Sequence, residues 1–330
     1  MSPVRVSDLP KQSKVTASCA FPIGPTFLLS KQASGGRETK GVGSRMSSYQ
    51  GGSGSVAGRR NTADPRISIV VPALNEAMNL AVVLPQLPQV HEVILVDGGS
   101  VDGTVRAARR AMPGIITVLQ GRTGKGNALD AGFARVTGDI VVMFDADGSA
   151  DPEEIARFVD VLRAGADFAK GTRNTAGGGS SDITAVRHLG NRFLNKVFNV
   201  MFRTRFTDLC YGYNAFWADL IPLLDLPDHT LPAPVPNRMM WGDGFEIETV
   251  ITCRFAAARL SITEVPSMEK LRMFGESNLH AFSDGLRVLR TLFTEWRRAR
   301  STRRLERDLD ITLEPVVKGA SAAIRTSQAA

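Results

Sequence analysis

Between Arg66 and Asp147, four short apolar runs rich in β-branched residues alternate with helix-length spacers, and this alternation constrains the chain more than any other feature. The runs are ISIVVPALNE from residue 67, EVILVDGGS at 92–100, GIITVLQ at 114–120 and DIVVMFDAD at 139–147. Continuous apolar runs of this length read as parallel strands buried on both faces. The spacers, 76–87, 102–111 and 125–136, each have room for a helix. The order is therefore β-α-β-α-β-α-β with right-handed crossovers, and a doubly wound, mostly parallel α/β sheet is expected.

The rest of the chain is less regular. Residues 1–64 are rich in Gly, Ser, Lys and Arg, with GGSGSVAG at 51–58, and are expected to form a flexible tail. A catalytic domain is expected over 65–300. Within it, a Pro-rich loop is read at 227–236, helices at 186–203, 243–256 and 279–299, and a strand at 259–265. Residues 301–330 are read as a second flexible tail. With 43% hydrophobic residues the 330-residue chain can bury an ordinary core. Cys19, Cys210 and Cys253 are far apart and lack partners at metal-ligand spacing, which argues against a disulfide or zinc framework and fits a reducing cytoplasm. No apolar run reaches the roughly 18 to 20 residues needed to cross a bilayer. Segment 20–29 has an apolar character interrupted by Pro22 and Pro25, with no cleavage pattern after it, so it is not read as a signal peptide. The net charge of +7 suits anionic partners in general and singles out none of them.

In an open α/β sheet the ligand sits beyond the carboxyl ends of the strands, and each run here ends in polar residues. Asn75 and Glu76 follow the first run, Asp97, Gly98 and Gly99 the second, and Asp145 and Asp147 the fourth. Helix capping accounts for Asp102 and Asp151. Asp145 and Asp147 are different: carboxylates at i and i+2 leave a strand end on one side and offer hard oxygen ligands to Mg²⁺ or Mn²⁺. Such a cation keeps sites for phosphate oxygens. The turn Arg122-Thr123-Gly124-Lys125-Gly126-Asn127 is not a P-loop, because Leu119 and Gly126 stand where that motif needs glycine and Ser or Thr. A dinucleotide fingerprint also fails, since Ser100 replaces its second glycine. What remains is a basic turn opening a helix, with Lys125 and the helix N-terminus placed to meet a diphosphate.

Taken in order, VPALNE, VDGGSVDGT, GKGNAL, DADGSADPEE and GTRN resemble the family 2 glycosyltransferases of the GT-A fold, most closely the dolichol- or polyprenol-phosphate sugar synthase branch. The resemblance runs from about 67 to 295. It implies a nucleotide-binding first half and an acceptor-binding second half. Pro72, Ala73, Asn75, Glu76, Gly99 and Ala146 would line the nucleotide-sugar pocket, Asp97 would recognise the base, and Asp145 and Asp147 would hold the metal. Lys125 would approach the donor. Gly171-Thr172-Arg173 resembles a segment whose arginine meets phosphate. The segment from Thr207 to Tyr213 resembles an acceptor-side element, bringing in Asp208 and Tyr211, although Cys210 or Tyr211 stands where Ser is usual. The segment from Arg272 to Asn278 resembles the closing loop, with Arg272 and Ser277 in place and Asn278 where Lys is usual. Asp243 and Glu246 border the acceptor side. His280 is a further candidate metal ligand, as a histidine is in some relatives with soluble acceptors.

The reaction so implied is single inversion at the anomeric carbon of a UDP- or GDP-sugar, with the cation, Lys125, Arg173 and Arg272 offsetting charge on the diphosphate. Asp147, Arg173, Asp243 and Arg272 are the expected catalytic set. A polyprenyl phosphate acceptor is already anionic and needs no base, whereas a hydroxyl acceptor would need one, with Asp243 the leading candidate. Helices 186–203 and 279–299 interleave apolar residues with Arg and Lys, as helices lying on anionic lipid do, and peripheral contact with the inner face of the membrane is expected. A soluble or polysaccharide acceptor is the alternative. A sugar nucleotidyltransferase would need a Gly-rich basic loop after the first strand, where this chain has PALNE. No aromatic-basic motif of a nucleic-acid-binding fold is present, so neither nucleic acid nor a scaffold partner is expected.

Overall fold

The computed structural model describes residues 60, 63–181, 183–233, 235, 239–275 and 285–305, all within the second of two units into which the chain divides, 55–330. The four apolar runs form β1 (Ile67–Ala73), β2 (Glu92–Asp97), β3 (Ile116–Leu119) and β4 (Ile140–Met143). Between them lie α1 (Ala77–Val83), α2 (Thr104–Ala111) and α3 (Lys125–Phe133). Beyond β4 follow α4 (Ile155–Arg163), β5 (Phe168–Thr172), β6 (Gly179–Ser180), α5 (Ala185–Phe202), β7 (Asn214–Trp217), α6 (Ile247–Ala257), β8 (Ile262–Pro266) and β9 (Met268–Glu269). Residues 285–305 are helical and are called α7.

Seven strands make one sheet in the order β3-β2-β1-β4-β7-β5-β8. All pairings are parallel except those of β7, which runs antiparallel to both β4 and β5. The strand order reverses beside β1, which puts the ligand crevice beyond Ala73, Asp97 and Met143. Strands β1, β2 and β4 are almost wholly buried, as their composition requires. β3 is the exception: it is the sheet's edge, and Leu119 is 72% exposed. Besides the two-residue β6 and β9, two strands of the main sheet escaped the sequence reading. β5 is fully buried but carries Lys170 in its middle, and β7 has only four residues. Burying Lys170 is tolerated because its Nζ donates to the Tyr211 carbonyl at 3.1 Å.

Helix α6 is buried on nearly every side, which its lack of a polar face permits. Leu194 and Phe198 of α5 and Val288 and Leu292 of α7 form a second apolar cluster with Cys253 of α6. Arg254 of α6 pairs with Glu295 of α7 at 3.0 Å, so the two helices are joined by charge as well as packing. The expected domain edges are both too narrow. Arg60 contacts Asp167 at 2.6 Å and Asp219 at 3.0 Å and stacks on Trp217, so packed chain begins before residue 65. At the other end, helix continues past 300 to 305. The remainder of both expected tails lies outside the described residues.

One polar device positions segment 206–209. Asn191, Asn195 and Asn199 recur every four residues on α5 and so share one face. Asn195 donates to the Thr207 carbonyl at 2.6 Å and accepts from the Leu209 N–H at 2.7 Å. Asn199 bonds both backbone groups of Phe206, and Asn191 donates to the Asp208 carboxylate at 2.9 Å. The side chains thus satisfy segment 206–209 as a neighbouring strand would. Asn195→Ala strands two backbone groups away from water, and urea unfolding of this variant should show a loss of about 2–4 kcal/mol.

Candidate active site

At the switch point β1 and β2 end level, with Ala73 opposite Asp97. Asn75 has a φ of 58°, a left-handed conformation that asparagine tolerates, and its Oδ1 accepts from the Val101 N–H at 3.0 Å. Its own N–H donates to Ser100 Oγ. Asp97 Oδ2 accepts from the Gly99 and Ser100 N–H groups, both at 3.1 Å. The other oxygen, Oδ1, is buried and has no partner. A buried acceptor left open at the mouth of a crevice fits an N–H donor of a nucleobase. Asp102 caps both flanking helices, accepting from Ala77 and Thr104.

Asp145 and Asp147 follow β4 and are partly exposed, 34% and 26% by side chain. Asp147 Oδ1 is held by the Ser149 N–H and hydroxyl, at 3.0 and 2.7 Å. Asp145 Oδ1 lies 2.7 Å from the Lys125 ammonium, which lies equally close to Glu248 of α6. Burial alone would favour the neutral amine, but the two carboxylates outweigh it and raise the Lys125 pKa. Gly212 packs closely on this group: a Cβ there would meet Lys125 Nζ, Asp145 Oδ2 and Glu248 Oε1 at 3.1–3.2 Å. The carboxylate pair offers the hard oxygen donors that Mg²⁺ or Mn²⁺ prefers, and no third His, Cys, Asp or Glu completes a metal cluster among the described residues. A cation held by Asp145 and Asp147 would keep most of its shell for phosphate oxygens and water. Ser277 and His280 lie outside the described residues.

The N-terminus of α3 does not face a diphosphate. The Asp243 carbonyl caps it, accepting from the Gly126 and Asn127 N–H groups at 2.7 and 3.3 Å. The glycines of the GKG turn serve this approach: a Cβ on Gly124 or Gly126 would lie 2.1 Å from the Asp243 oxygen or 1.8 Å from the Gly242 oxygen. Asp243 itself is not available as a base. It is 1% exposed, and its carboxylate is gripped by Arg122 through Nε at 2.8 Å and Nη2 at 2.7 Å, with the Met240 N–H on Oδ2. Arg122 also donates to the carbonyls of Asp228 and Leu231, so one buried guanidinium ties the 228–231 loop and the 240–243 turn to the base of α3.

Glu76 likewise turns inward. It accepts from Asn79 and from Arg272 Nη1 at 2.9 Å, while Arg272 Nε stands 4.0 Å from Asp147. Its carboxyl is raised above the usual range by burial, against the lowering effects of Asn79 and Arg272. Arg272 therefore bridges Glu76, after the first strand, and Asp147, after the fourth. Backbone bonds from Lys270 to Ser149 and from Met273 to Asp147 dock segment 270–273 on the same loop.

Arg173, Asp208 and Tyr211 lie together in a buried network. Arg173 Nε and Nη2 engage Asp208 at 2.7 and 2.9 Å, its Nη1 engages Glu269 at 3.0 Å, and its guanidinium lies 4.9 Å from the Tyr211 ring centre. Burial would raise the Asp208 carboxyl, yet the Arg173 bonds bring it below the usual range. Glu248, Arg122 and Glu269 had no local signature in the sequence, because each is defined by a partner far along the chain.

The glycosyl transferase family 2 model matches residues 68–221. The polyprenol monophosphomannose synthase of Mycolicibacterium smegmatis is 30% identical over 226 residues, covering 65% of this chain and 81% of that protein. This chain belongs to glycosyl transferase family 2. The undecaprenyl-phosphate mannosyltransferase of Micrococcus luteus is also 30% identical, over 65% of this chain and 87% of its own length. Among solved structures, glucosyl-3-phosphoglycerate synthase of Mycobacterium tuberculosis, in complex with Mn²⁺, UDP-glucose and glycerol 3-phosphate, superposes with a TM-score of 0.54. It is 25% identical and covers 71% of this chain and 81% of that one. The fold is GT-A and the chain is a glycosyltransferase, with its sequence similarity to the polyprenol-phosphate sugar synthase branch.

Replacing Asp243 by Asn leaves the Arg122 charge buried without its counter-ion, which costs about 3–5 kcal/mol. Urea unfolding should show that loss. The folded fraction of Asp243→Asn should retain turnover at every pH tested, whereas a catalytic base would lose it.

Proposed function

We propose that this glycosyltransferase moves a hexose, with inversion, from a UDP- or GDP-sugar to a polyprenyl phosphate at a membrane surface. The observation that carries the acceptor is the two-sided character of α5. Its outer face exposes Val186 (61%), Leu189 (70%), Phe193 (58%) and Val200 (74%) beside Arg192 and Lys196. Its inner face holds Asp208, and through it Arg173, by way of Asn191. A helix with a lipid-compatible face and a phosphate-side cation behind it suits an acceptor whose tail is apolar and whose head is anionic. No helix among the described residues is long and apolar enough to cross a membrane, so contact would be peripheral. Two relatives named for polyprenol or undecaprenyl phosphate support the same reading.

An anionic acceptor also suits the locked state of Asp243, since a phosphate oxygen attacks without surrendering a proton. The open Oδ1 of Asp97 would take the base, and Asp145 and Asp147 would hold Mg²⁺ or Mn²⁺. When bound, the cation supplies charge stabilisation to the departing diphosphate. Lys125 and Arg272 flank the same carboxylates and add to the positive field there. A soluble acceptor is the second reading; Glu246, whose buried Oε2 accepts no hydrogen bond, faces the Arg287 guanidinium at 4.0 Å and so gives that reading no free base.

The test is sugar transfer by the full chain from labelled UDP- and GDP-sugars to a short polyprenyl phosphate, followed by extraction into organic solvent. Label should enter the organic phase, disappear with EDTA, and fall by about 100-fold or more in Asp147→Ala. Donor turnover with label confined to the aqueous phase would move the assignment to a soluble acceptor.

A further inference from the structure

Arg173 is the cation best placed for an acceptor phosphate, yet it is surrounded by more negative charge than it can neutralise. Asp208 is fully buried and fixed by Asn191 and by the Arg173 N–H as well as the guanidinium, so it is a permanent partner. Glu269 is different in kind. It belongs to the two-residue strand β9, its side chain is 13% exposed, and both its oxygens face Arg173 Nη1, at 3.2 and 3.0 Å. Ser180 of β6 donates to the same carboxylate. β9 leads directly into segment 270–273, which docks on the Asp147 loop, and Tyr211 beneath Arg173 precedes Gly212, which abuts Asp145 and Lys125. The outer arm of Arg173 is therefore held by a carboxylate whose strand continues into the segment docked on the Asp147 loop.

We propose that Glu269 is a built-in stand-in for the acceptor's phosphate monoester, holding the outer arm of Arg173 until an anionic acceptor displaces it. This rests on the reading of Arg173 as the acceptor-phosphate residue. Two anions cannot share one guanidinium arm at low cost, so acceptor affinity carries the work of moving Glu269 away. A phosphate, with two charges and three acceptor oxygens, competes with a single carboxylate, whereas a neutral hydroxyl does not. Glu269 thus acts as a specificity residue: it keeps Arg173 ordered in the absence of acceptor and sets a threshold that only a phosphate-bearing acceptor crosses.

The experiment compares the full-length wild type with Glu269→Gln, Glu269→Asp and Arg173→Lys, using a short polyprenyl phosphate and, separately, 3-phosphoglycerate as acceptors. Donor Kd and thermal unfolding are measured alongside. Glu269→Gln keeps the shape and the hydrogen-bond acceptor but loses the charge, so the acceptor KM should fall about 5- to 10-fold with donor Kd unchanged. Glu269→Asp keeps the charge on a shorter stem and supplies a second reading of the same contact, with a smaller fall. The acceptor on which the effect appears identifies the source of the phosphate, lipid or soluble. An unchanged or raised KM in both Glu269 variants, with Arg173→Lys raising it, would overturn the stand-in while leaving Arg173 as the phosphate residue. No change in acceptor KM in any variant would overturn both.

Discussion

The site depends on a single shared ammonium. Lys125 enters from α3 and is held at 2.7 Å by Asp145, at the end of β4, and by Glu248, in the buried helix α6. The pairing joins the half of the domain that ends in Asp145 and Asp147 to the half that contains α6. These carboxylates keep the buried ammonium charged, because burial of an unpaired ammonium would favour the neutral amine. The three groups crowd the position of a Cβ at residue 212. Glycine recurs at 124 and 126 for a separate reason: the backbone of 242–243 crosses the start of α3 there.

Around this centre, two arginines do structural work before any substrate arrives. Arg122 is buried against Asp243 and gathers the 228–231 loop, and Arg272 ties Glu76 to the Asp147 loop. The crevice is consequently built from long-range ion pairs laid over a sheet, with few of its charges left free. Arg173 follows the same rule through Asp208 and Glu269. Pairing of this kind fixes the position of each guanidinium before a substrate arrives.

Much of the fold was legible because β1, β2 and β4 are buried on both faces and must be apolar throughout. β5 was hidden by Lys170, whose burial depends on a carbonyl 41 residues away, and β7 by its length of four residues. Asp145 and Asp147 were legible from position, as a strand end dictates their side. The GKG turn was legible as a basic turn opening a helix, but the close backbone crossing that its glycines serve is revealed only by the fold. Asp243 misled, since its partner Arg122 is 121 residues distant. The ladder of Asn191, Asn195 and Asn199 was visible as a four-residue repeat, but its meaning required the strand-like segment beside it.

The most direct test of this account is Mn²⁺ titration in the presence of UDP, following the free ion by electron paramagnetic resonance, for the wild type and Glu248→Gln. If Glu248 shares the ammonium, removing its charge turns Lys125 wholly onto Asp145, and the Mn²⁺ affinity should fall about tenfold while the protein stays folded. An affinity equal to that of the wild type would contradict the shared-ammonium arrangement on which the site is built.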